Sequence, residues 1–155
     1  MKNFILIIVL TFGYTGAFSQ ADVLNNYLSL KDALVASKQD EAAKASQSLT
    51  KSIQSADVNS LSLELKKLFS DKKINLLKLS ESISSAKDLE KQREKFAELS
   101  VLLWPIVKNS SPETLFYDYC PMKKTYWISA DEGIKNPYYG SKMLTCGSVS
   151  EKSKQ

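Results

Sequence analysis

The chain contains no histidine among its 155 residues. Histidine is the usual general base near neutral pH and supplies the imidazole ligand of many metal sites. Its absence excludes His-based catalytic triads and imidazole metal sites. The 21 basic and 17 acidic residues are interspersed and form no basic stripe of the kind that binds nucleic acid. Because no nucleophile–base pair and no phosphate-binding loop is visible either, we predict neither an enzyme nor a nucleic-acid-binding protein.

Extended apolar runs are also scarce, and the one at the start of the chain covers residues 4–10. Lys2 precedes this run, and the small residues Ala17 and Ser19 follow it at the −3 and −1 positions of a cleavage site, which is typical of a secretory signal peptide. We predict a signal peptide over residues 1–19, cleaved near Ser19. The run is short for a membrane-spanning helix. We therefore expect a periplasmic chain without a stable membrane span after cleavage, with a retained anchor as the alternative.

Glycine is absent between residues 21 and 109, and Pro105 is the one proline in that region. Four stretches there carry apolar residues at helical spacing. Their connections are short, which predicts a mainly α fold with an antiparallel up-down four-helix bundle over residues 20–110. The residues expected to form its core are Val23, Tyr27, Leu30, Leu34, Ala42, Ala45, Leu49, Ile53, Leu61, Leu65, Leu68, Leu76, Leu79, Ile83, Ala86, Leu89, Phe96, Leu99, Leu103 and Ile106.

Local signals within this region predict where the helices start and stop. We expect Asp40 to cap the second helix and a residue between 85 and 88 to begin the fourth. A break or exposed turn is expected in the third helix at residues 71–73. Pro105 should kink the fourth helix or end it early, and Trp104 beside it should lie in the core. The serine-rich stretches at 46–55 and 80–85 are expected on solvated faces.

The composition changes after Pro112, where aromatic residues become dense and glycine and proline recur. This predicts a small loop- and β-rich C-terminal module over residues 111–150, with short strands near 115–119 and 126–129. A polar tail is expected over residues 151–155.

All sulfur beyond the initiator methionine lies in this module, at Cys120, Met122, Met143 and Cys146. Cys120 and Met122 flank Pro121, whereas Met143 and Cys146 are three residues apart, so a helical turn would place them on one face. Thiolates and thioethers are soft ligands that suit monovalent copper or silver. Lys123 and Lys142 are close in sequence and would favour the thiolate form.

The same two cysteines also suit a disulfide, which the oxidising compartments of exported proteins permit. A bond between Cys120 and Cys146 would close a loop of about 27 residues and contribute about 3–4 kcal/mol through chain entropy. The residues alone therefore leave two interpretations open, a four-sulfur metal site and a structural disulfide.

Two strings in the module are long enough to be specific. Residues 120–122 read Cys-Pro-Met, and residues 134–147 read Ile-Lys-Asn-Pro-Tyr-Tyr-Gly-Ser-Lys-Met-Leu-Thr-Cys-Gly. With Trp127 they resemble a C-terminal segment of the periplasmic adaptor subunits of heavy-metal efflux pumps, which export copper and silver. The helical part is similar to DUF3347, a domain of unknown function found in exported bacterial proteins, alone or appended to such adaptors. That similarity is carried by residues 27–34, 92–93 and 96–100.

The resemblance implies an association with metal export and a partner in a heavy-metal efflux system, and it implies no assigned reaction. We expect no room in this chain for the hairpin, lipoyl-like and barrel domains of an adaptor, so the role implied is that of an accessory. With the resemblance added, we expect Cys120, Met122, Met143 and Cys146 to bind copper(I) or silver(I). A non-metal structural or protein-interaction module with a Cys120–Cys146 disulfide stays as the alternative.

Overall fold

Four helices make up most of the structure, a computed structural model that describes residues 20–153. The predicted signal peptide and the last two residues lie outside the described residues. Helix α1 spans Gln20–Val35, α2 spans Gln39–Gln54, α3 spans Leu63–Ser85 and α4 spans Leu89–Val107. Each helix packs against the next one along the chain. The prediction of a mainly helical fold with four helices is confirmed.

Side-chain caps fix the starts of α3 and α4. Ser62 Oγ accepts the backbone N–H of Leu65 at 3.3 Å, and Asp88 Oδ1 accepts that of Lys91 at 2.8 Å. Each cap satisfies a backbone donor that has no partner inside the helix. The predicted start of the fourth helix is confirmed. The predicted cap of the second is wrong, because α2 begins at Gln39 and Asp40 lies within its first turn.

Helix α3 runs unbroken through residues 71–73, so the predicted interruption there is wrong. Asp71 is exposed, whereas Lys72 and Lys73 are half-buried, and the Lys73 ammonium donates to the Gln54 carbonyl of α2 at 2.9 Å. These charged side chains are accommodated without breaking the backbone hydrogen bonds of α3. Helix α4 ends two residues after Pro105. Trp104 is only 4% exposed and lies in the core, as predicted.

The apolar faces of α1 and α4 form most of the predicted core. All four residues expected on α1 are buried, as are Phe96, Leu99, Leu103 and Ile106 of α4. On α3, the expected stripe is fully buried only at Leu76 and Ile83 and half-buried elsewhere. Helix α3 packs on α2 and α4, whereas α1 and α4 pack on strand residues 125–129 as well, which covers more of their apolar faces.

Three serines in the serine-rich stretches are buried, at positions 46, 52 and 80, so the prediction of solvated faces is wrong there. Ser46 Oγ donates to the Ser80 carbonyl at 2.7 Å, and Thr50 Oγ1 donates to Ser80 Oγ at 2.8 Å. Small hydroxyl side chains therefore contribute to the contact between α2 and α3 with their polar atoms paired.

The C-terminal part forms a three-stranded antiparallel sheet in the order β2-β1-β3. Strand β1 spans Phe116–Cys120, β2 spans Thr125–Ser129 and β3 spans Ser148–Lys152. The first two strands were predicted and the third was not. Glu151 and Lys152 belong to β3 and pair with Tyr117 and Phe116, so the predicted polar tail is wrong at these two positions.

Aromatic contacts join the sheet to the helices. Trp104 of α4 stacks on Tyr117 with ring centroids 4.7 Å apart, and Tyr117 stacks on Tyr126 at 4.5 Å. The backbone N–H of Ile128 donates to the Tyr27 hydroxyl of α1 at 3.0 Å. Helices and sheet consequently share one hydrophobic core. Within residues 20–153, no helix combines the length and the apolar character needed to cross a membrane.

Candidate functional site

The two cysteines lie at the same end of the sheet. Cys120 is the last residue of β1, and Cys146 lies two residues before β3 begins. Tyr119 pairs with Ser148 in the antiparallel ladder, so the next residues on each side of that pair stay close. Both cysteines are free thiols, Cys120 fully buried and Cys146 half-buried. The fold therefore gathers two sulfur-bearing residues that are far apart in sequence.

Asn136 links the two cysteines directly. Its Nδ2 donates to Cys120 Sγ at 3.2 Å and to the Cys146 carbonyl oxygen at 2.6 Å. Its Oδ1 accepts the backbone N–H of Tyr138 at 2.8 Å. A carbonyl oxygen requires a donor and an N–H requires an acceptor, so these partners determine that the NH₂ end of the amide faces the sulfur. Asn136 lies outside the two predicted strands of the module, and no signal in the sequence indicated this contact, which spans 16 residues.

A second donor reaches the same sulfur. The backbone N–H of Lys123 donates to Cys120 Sγ at 3.4 Å. The Lys123 ammonium instead binds the Glu90 carboxylate of α4, a hydrogen bond that raises the pKa of Lys123. Lys123 therefore contacts the sulfur through its backbone amide, whereas its ammonium group is paired with α4. Lys142, the other lysine named for this role, is exposed.

The two methionines lie in different surroundings. Met122 lies in the turn after β1 and is 60% exposed. Met143 follows the short 3₁₀ helix Gly140–Lys142 and is half-buried. Its carbonyl oxygen accepts the backbone N–H of Cys146 at 3.1 Å, so these two residues share one tight turn. The structure thus brings Cys120, Cys146 and Met143 to one end of the sheet and leaves Met122 largely in solvent.

Arg93 of α4 holds the segment that follows Asn136 against the helices. Its Nε donates to the Pro137 carbonyl at 2.8 Å. Its Nη2 donates to the Leu34 carbonyl at 3.1 Å and to Ser37 Oγ at 3.0 Å. One guanidinium fork therefore connects the end of α1, the turn after it and the loop of the candidate site.

Two glycines let the same loop pack closely. Gly140 has φ 58°, and a Cβ there would lie 2.6 Å from Ser37 Oγ and 2.8 Å from the Val35 carbonyl oxygen. A Cβ at Gly147 would lie 2.7 Å from Trp127. Positive φ and close backbone approach are both conditions that glycine meets and other residues do not. Both glycines belong to the string at residues 134–147 that resembles the adaptor segment. Their close packing explains why glycine occupies these two positions.

Aromatic rings cover the inner side of the site. Trp127 and Tyr138 are almost fully buried, with ring centroids 6.0 Å apart in an edge-on arrangement. The Tyr138 hydroxyl donates to the Tyr126 carbonyl, and Tyr138 also contacts Phe96 of α4. Cys120 therefore lies in a dry surrounding, in which interactions with charge are stronger than in water.

A buried carboxyl group lies two residues before Cys120 on the same strand. Asp118 is fully buried, and among the described residues neither of its carboxylate oxygens has a hydrogen-bond partner. The same holds for Nε1 of Trp127, its cross-strand neighbour. Burial raises the pKa of Asp118 to about 7, and the positive charge of Lys31 opposes this shift. No signal in the sequence distinguished Asp118 from a surface aspartate.

Hard-metal ligands do not converge with the cysteines. Within residues 20–153, no three or more histidine, cysteine, aspartate or glutamate side chains are placed together so that they would hold a metal ion. An ion at this end of the sheet would therefore depend on the two cysteine sulfurs and on thioethers, which are soft ligands.

The helical part of the chain matches a known protein family. Residues 23–114 match the family described as protein of unknown function (DUF3347). The match covers α1 to α4 and ends before β1, so both cysteines lie beyond it. No curated protein and no solved structure matches the chain significantly. The resemblance of residues 120–147 to efflux adaptors stays a prediction. The helical resemblance is confirmed, and the chain belongs to the DUF3347 family.

Proposed function

We propose that this protein binds one copper(I) or silver(I) ion through Cys120 and Cys146, with Met143 and Met122 as thioether ligands. The observation that supports this is the pair of N–H donors on Cys120 Sγ, from Asn136 at 3.2 Å and from Lys123 at 3.4 Å. Cysteine binds metals as the thiolate. Hydrogen bonds to a ligating group orient it and tune its charge, so they suit a sulfur that has to carry negative charge.

The exposure of the four sulfur residues suits the capture of an ion. Met122 is largely exposed, Met143 and Cys146 are half-buried and Cys120 is fully buried. A monovalent ion would meet thioether sulfur first and the buried thiolate last. The aromatic rings of Trp127 and Tyr138 keep water from the inner side of Cys120, which favours soft ligands over water as competitors.

The wider role that we propose is that of an exported, periplasmic accessory to heavy-metal efflux or homeostasis. Export rests on the predicted signal peptide, and efflux on the resemblance of residues 120–122 and 134–147 to the adaptor segment. For the helices we propose an antiparallel up-down arrangement, supported by the packing of each helix on the next. The partner would be a component of the efflux system.

Competition for copper(I) with a chromophoric chelator tests the binding site. The reduced protein should bind one ion per chain, and X-ray absorption should show sulfur ligands. We expect Cys120→Ser and Cys146→Ser each to weaken binding at least about 100-fold, and Met143→Leu and Met122→Leu each about tenfold. The proposal is wrong if the wild-type protein fails to compete, or if both serine variants compete as well as it does. Unaltered affinity in both leucine variants would reduce the site to two sulfurs.

A second candidate is a non-metal structural or protein-interaction module with a Cys120–Cys146 disulfide. It is favoured by the proximity of both cysteines to one Asn136 side chain. Thiol labelling of protein taken directly from its compartment should then find no free cysteine, with or without copper. Replacing both cysteines by serine should cost about 2–5 kcal/mol of stability and leave the copper tolerance of cells unchanged. A metal carrier should instead show copper-protected thiols, and the double replacement should increase copper sensitivity.

A further inference from the structure

We propose that a cavity between α1, α3 and α4 is a binding site for a small amphiphile with an aliphatic tail and a cationic amine head. The site goes beyond the proposed metal binding and does not depend on it. Glu90 and Arg93, which contact the C-terminal module, lie near the start of α4, whereas Ile106 and Val107 line the cavity from its last turn. The helix rises about 20 Å between Arg93 and Ile106.

The cavity has a volume of about 100 Å³ and an apolar floor. Side chains from all three helices form this floor, and each is at most 7% exposed: Val23, Leu24, Phe69, Leu103, Ile106 and Val107. Protein interiors contain few voids larger than a water molecule, and an apolar cavity lowers stability unless it is filled. An engineered apolar cavity of about 150 Å³ binds benzene. A short aliphatic chain therefore suits this floor in size and chemistry.

The mouth of the cavity is polar. Asn25 of α1 and Glu113, which follows α4, are exposed there. The hydroxyl protons of the two serines on the rim are already used, because Ser110 Oγ donates to the Ile106 carbonyl at 2.9 Å and Ser111 Oγ donates to the Glu113 carbonyl at 3.2 Å. The groups left to accept a hydrogen bond from a ligand are consequently the Asn25 side-chain oxygen and the Glu113 carboxylate.

Glu113 determines the charge of the head group. Among the described residues that line the cavity, it is the only charged one. Its carboxylate forms no ion pair with a lysine or arginine within residues 20–153. A ligand whose tail lies on the floor would place its head near this carboxylate, where an ammonium group donates a charge-assisted hydrogen bond. An anionic head would be repelled, so the cavity suits an amine better than a fatty acid.

Titration of the metal-free protein with hexylamine, hexanol and hexanoate tests the proposal. The three probes share an aliphatic tail and differ in the charge of the head. Binding is followed by NMR at the methyl groups of Val23, Leu103 and Val107. We expect saturable shifts, with the Kd of hexylamine about threefold below that of hexanol and hexanoate the weakest. The proposal is overturned if hexylamine does not bind, or if hexanoate binds as tightly.

Ala21→Trp tests the location of the tail, because Ala21 is exposed on the rim and a large ring there would obstruct the cavity. Hexylamine binding should weaken at least about tenfold. Ala36→Trp makes the same change at an exposed position just after the other end of α1 and should leave the Kd unchanged. Equal effects of the two substitutions, or an unaltered Kd in Ala21→Trp, would contradict the proposed site.

Glu113→Gln tests the head group, because it removes the charge and keeps the size. The affinity for hexylamine should fall about threefold, as expected for an exposed ion pair, and that for hexanol should stay the same. Glu64→Gln, at an exposed position of α3, is the matched control and should change neither affinity. An unaltered hexylamine affinity in Glu113→Gln would overturn the assignment of an amine ligand.

A measurement on the wild-type protein covers the case in which Ala21→Trp does not fold. Nuclear Overhauser effects should connect the terminal methyl group of bound hexylamine with the methyl groups of Leu103 and Val107. Contacts with other parts of the protein alone would overturn the proposal. So would shifts of these methyl resonances with protein concentration in the absence of hexylamine, because a second copy of the chain would then fill the cavity. Copper binding has no part in these measurements, so their outcome is independent of the proposed function.

Discussion

Asp118 has an ionisable carboxyl group in surroundings that disfavour its charged form. Its carboxyl group is fully buried, has no hydrogen-bond partner among the described residues and has a pKa of about 7 because of burial. An aspartate in an unfolded chain has a pKa of about 3.9. As the pH rises from acid, the unfolded state therefore loses this proton first. The unfolding free energy should fall between about pH 4 and pH 7 and level off above that range.

We predict that Asp118→Asn removes this pH dependence in the metal-free protein. Relative to the wild type, the variant should gain about 2–4 kcal/mol of unfolding free energy between pH 4 and pH 8. Urea titration at several pH values measures the difference. Asp71→Asn, at an exposed position of α3, should show no such gain. A pH-independent difference between wild type and Asp118→Asn would mean that the buried carboxyl has a partner such as an internal water.

We also predict that Gly140→Ala destabilises the protein by about 2–4 kcal/mol, because left-handed backbone and steric overlap add together. The new Cβ would lie 2.6 Å from Ser37 Oγ. Gly133→Ala is the matched control, since a Cβ there has nothing within 4 Å, and its effect should stay within about 0.5 kcal/mol. Thermal unfolding of the two variants gives the comparison. Equal effects would contradict the close packing of the loop on the turn after α1.

At the residue scale, the sequence predicted the sulfur set and missed what surrounds it. Residue type and clustering identify Cys120 and Cys146 without a structure. Asn136 could not be found in this way, because an asparagine before a proline is typical of a turn and its sulfur contact depends on tertiary structure. Asp118 was missed for the same reason. Burial of a single aspartate in a short strand depends on which elements pack on the sheet, and here the charge of Asp118 interacts with Lys31 and Tyr27 of α1.

At the element scale, α4 is the helix that positions the candidate site. Arg93 binds the Pro137 carbonyl, the ammonium of Lys123 binds Glu90, and Trp104 stacks on β1. Trp104 Nε1 also donates to the Glu151 carboxylate of β3 at 2.9 Å, which lowers the pKa of Glu151. The other helices have fewer contacts with the sheet, so α4 determines where the cysteine end of the sheet lies.

We predict that Arg93→Lys loosens the loop of the site without unfolding the helices. A lysine ammonium cannot span the Pro137, Leu34 and Ser37 partners of the guanidinium, and the variant should lose about 2–4 kcal/mol. Amide hydrogen exchange at residues 140–146 should accelerate at least about tenfold relative to β1. Lys91→Arg, which exchanges one cation for another on the exposed side of α4, should change neither quantity. Unchanged loop exchange in Arg93→Lys would contradict this role.

Elements with strong local signals were predicted and the others were not. Periodic apolar residues and the absence of glycine predicted the four helices, and aromatic runs predicted β1 and β2. Strand β3 has the sequence Ser-Val-Ser-Glu-Lys, which lacks an apolar face and reads as a tail. It is held in the sheet by its backbone ladder with β1, by the contact of Glu151 with α4 and, just after the strand, by Ser153 Oγ, which accepts the Leu115 N–H at 2.8 Å. Such tertiary contacts leave no periodicity in the sequence.

At the scale of the whole molecule, the helices and the sheet are joined by buried polar groups as well as by apolar packing. The Tyr27 hydroxyl of α1 accepts the Ile128 N–H of β2 at 3.0 Å. It donates to Ser100 Oγ of α4 at 2.6 Å, since the Ser100 hydroxyl proton is used on the Phe96 carbonyl. Burial raises the pKa of Tyr27, so this hydroxyl keeps its proton. Residues 20–110, predicted as a helical bundle, and residues 111–150, predicted as a small C-terminal module, contribute side chains to one hydrophobic core.

We predict that the protein unfolds in a single transition. Helical circular dichroism and the fluorescence of Trp104 and Trp127 should change at the same temperature. Tyr27→Phe should lower the unfolding free energy by about 1–3 kcal/mol, because it leaves the buried Ile128 N–H unpaired, and both signals should shift together. Tyr139→Phe, at a half-buried ring outside this network, serves as the control. Loss of the tryptophan signal well before the helical signal would show that the sheet unfolds independently.

The Arg93 guanidinium contacts both the loop of the candidate site and the α1–α2 turn, so a structural change at the cysteines should be measurable at that turn. Its three acceptors belong to the loop beside Asn136, to the last turn of α1 and to the turn after that helix. Any shift of Pro137 therefore alters the geometry of a guanidinium that the α1–α2 turn shares. A spectroscopic label at the exposed Lys38 would then report on the cysteines without touching them.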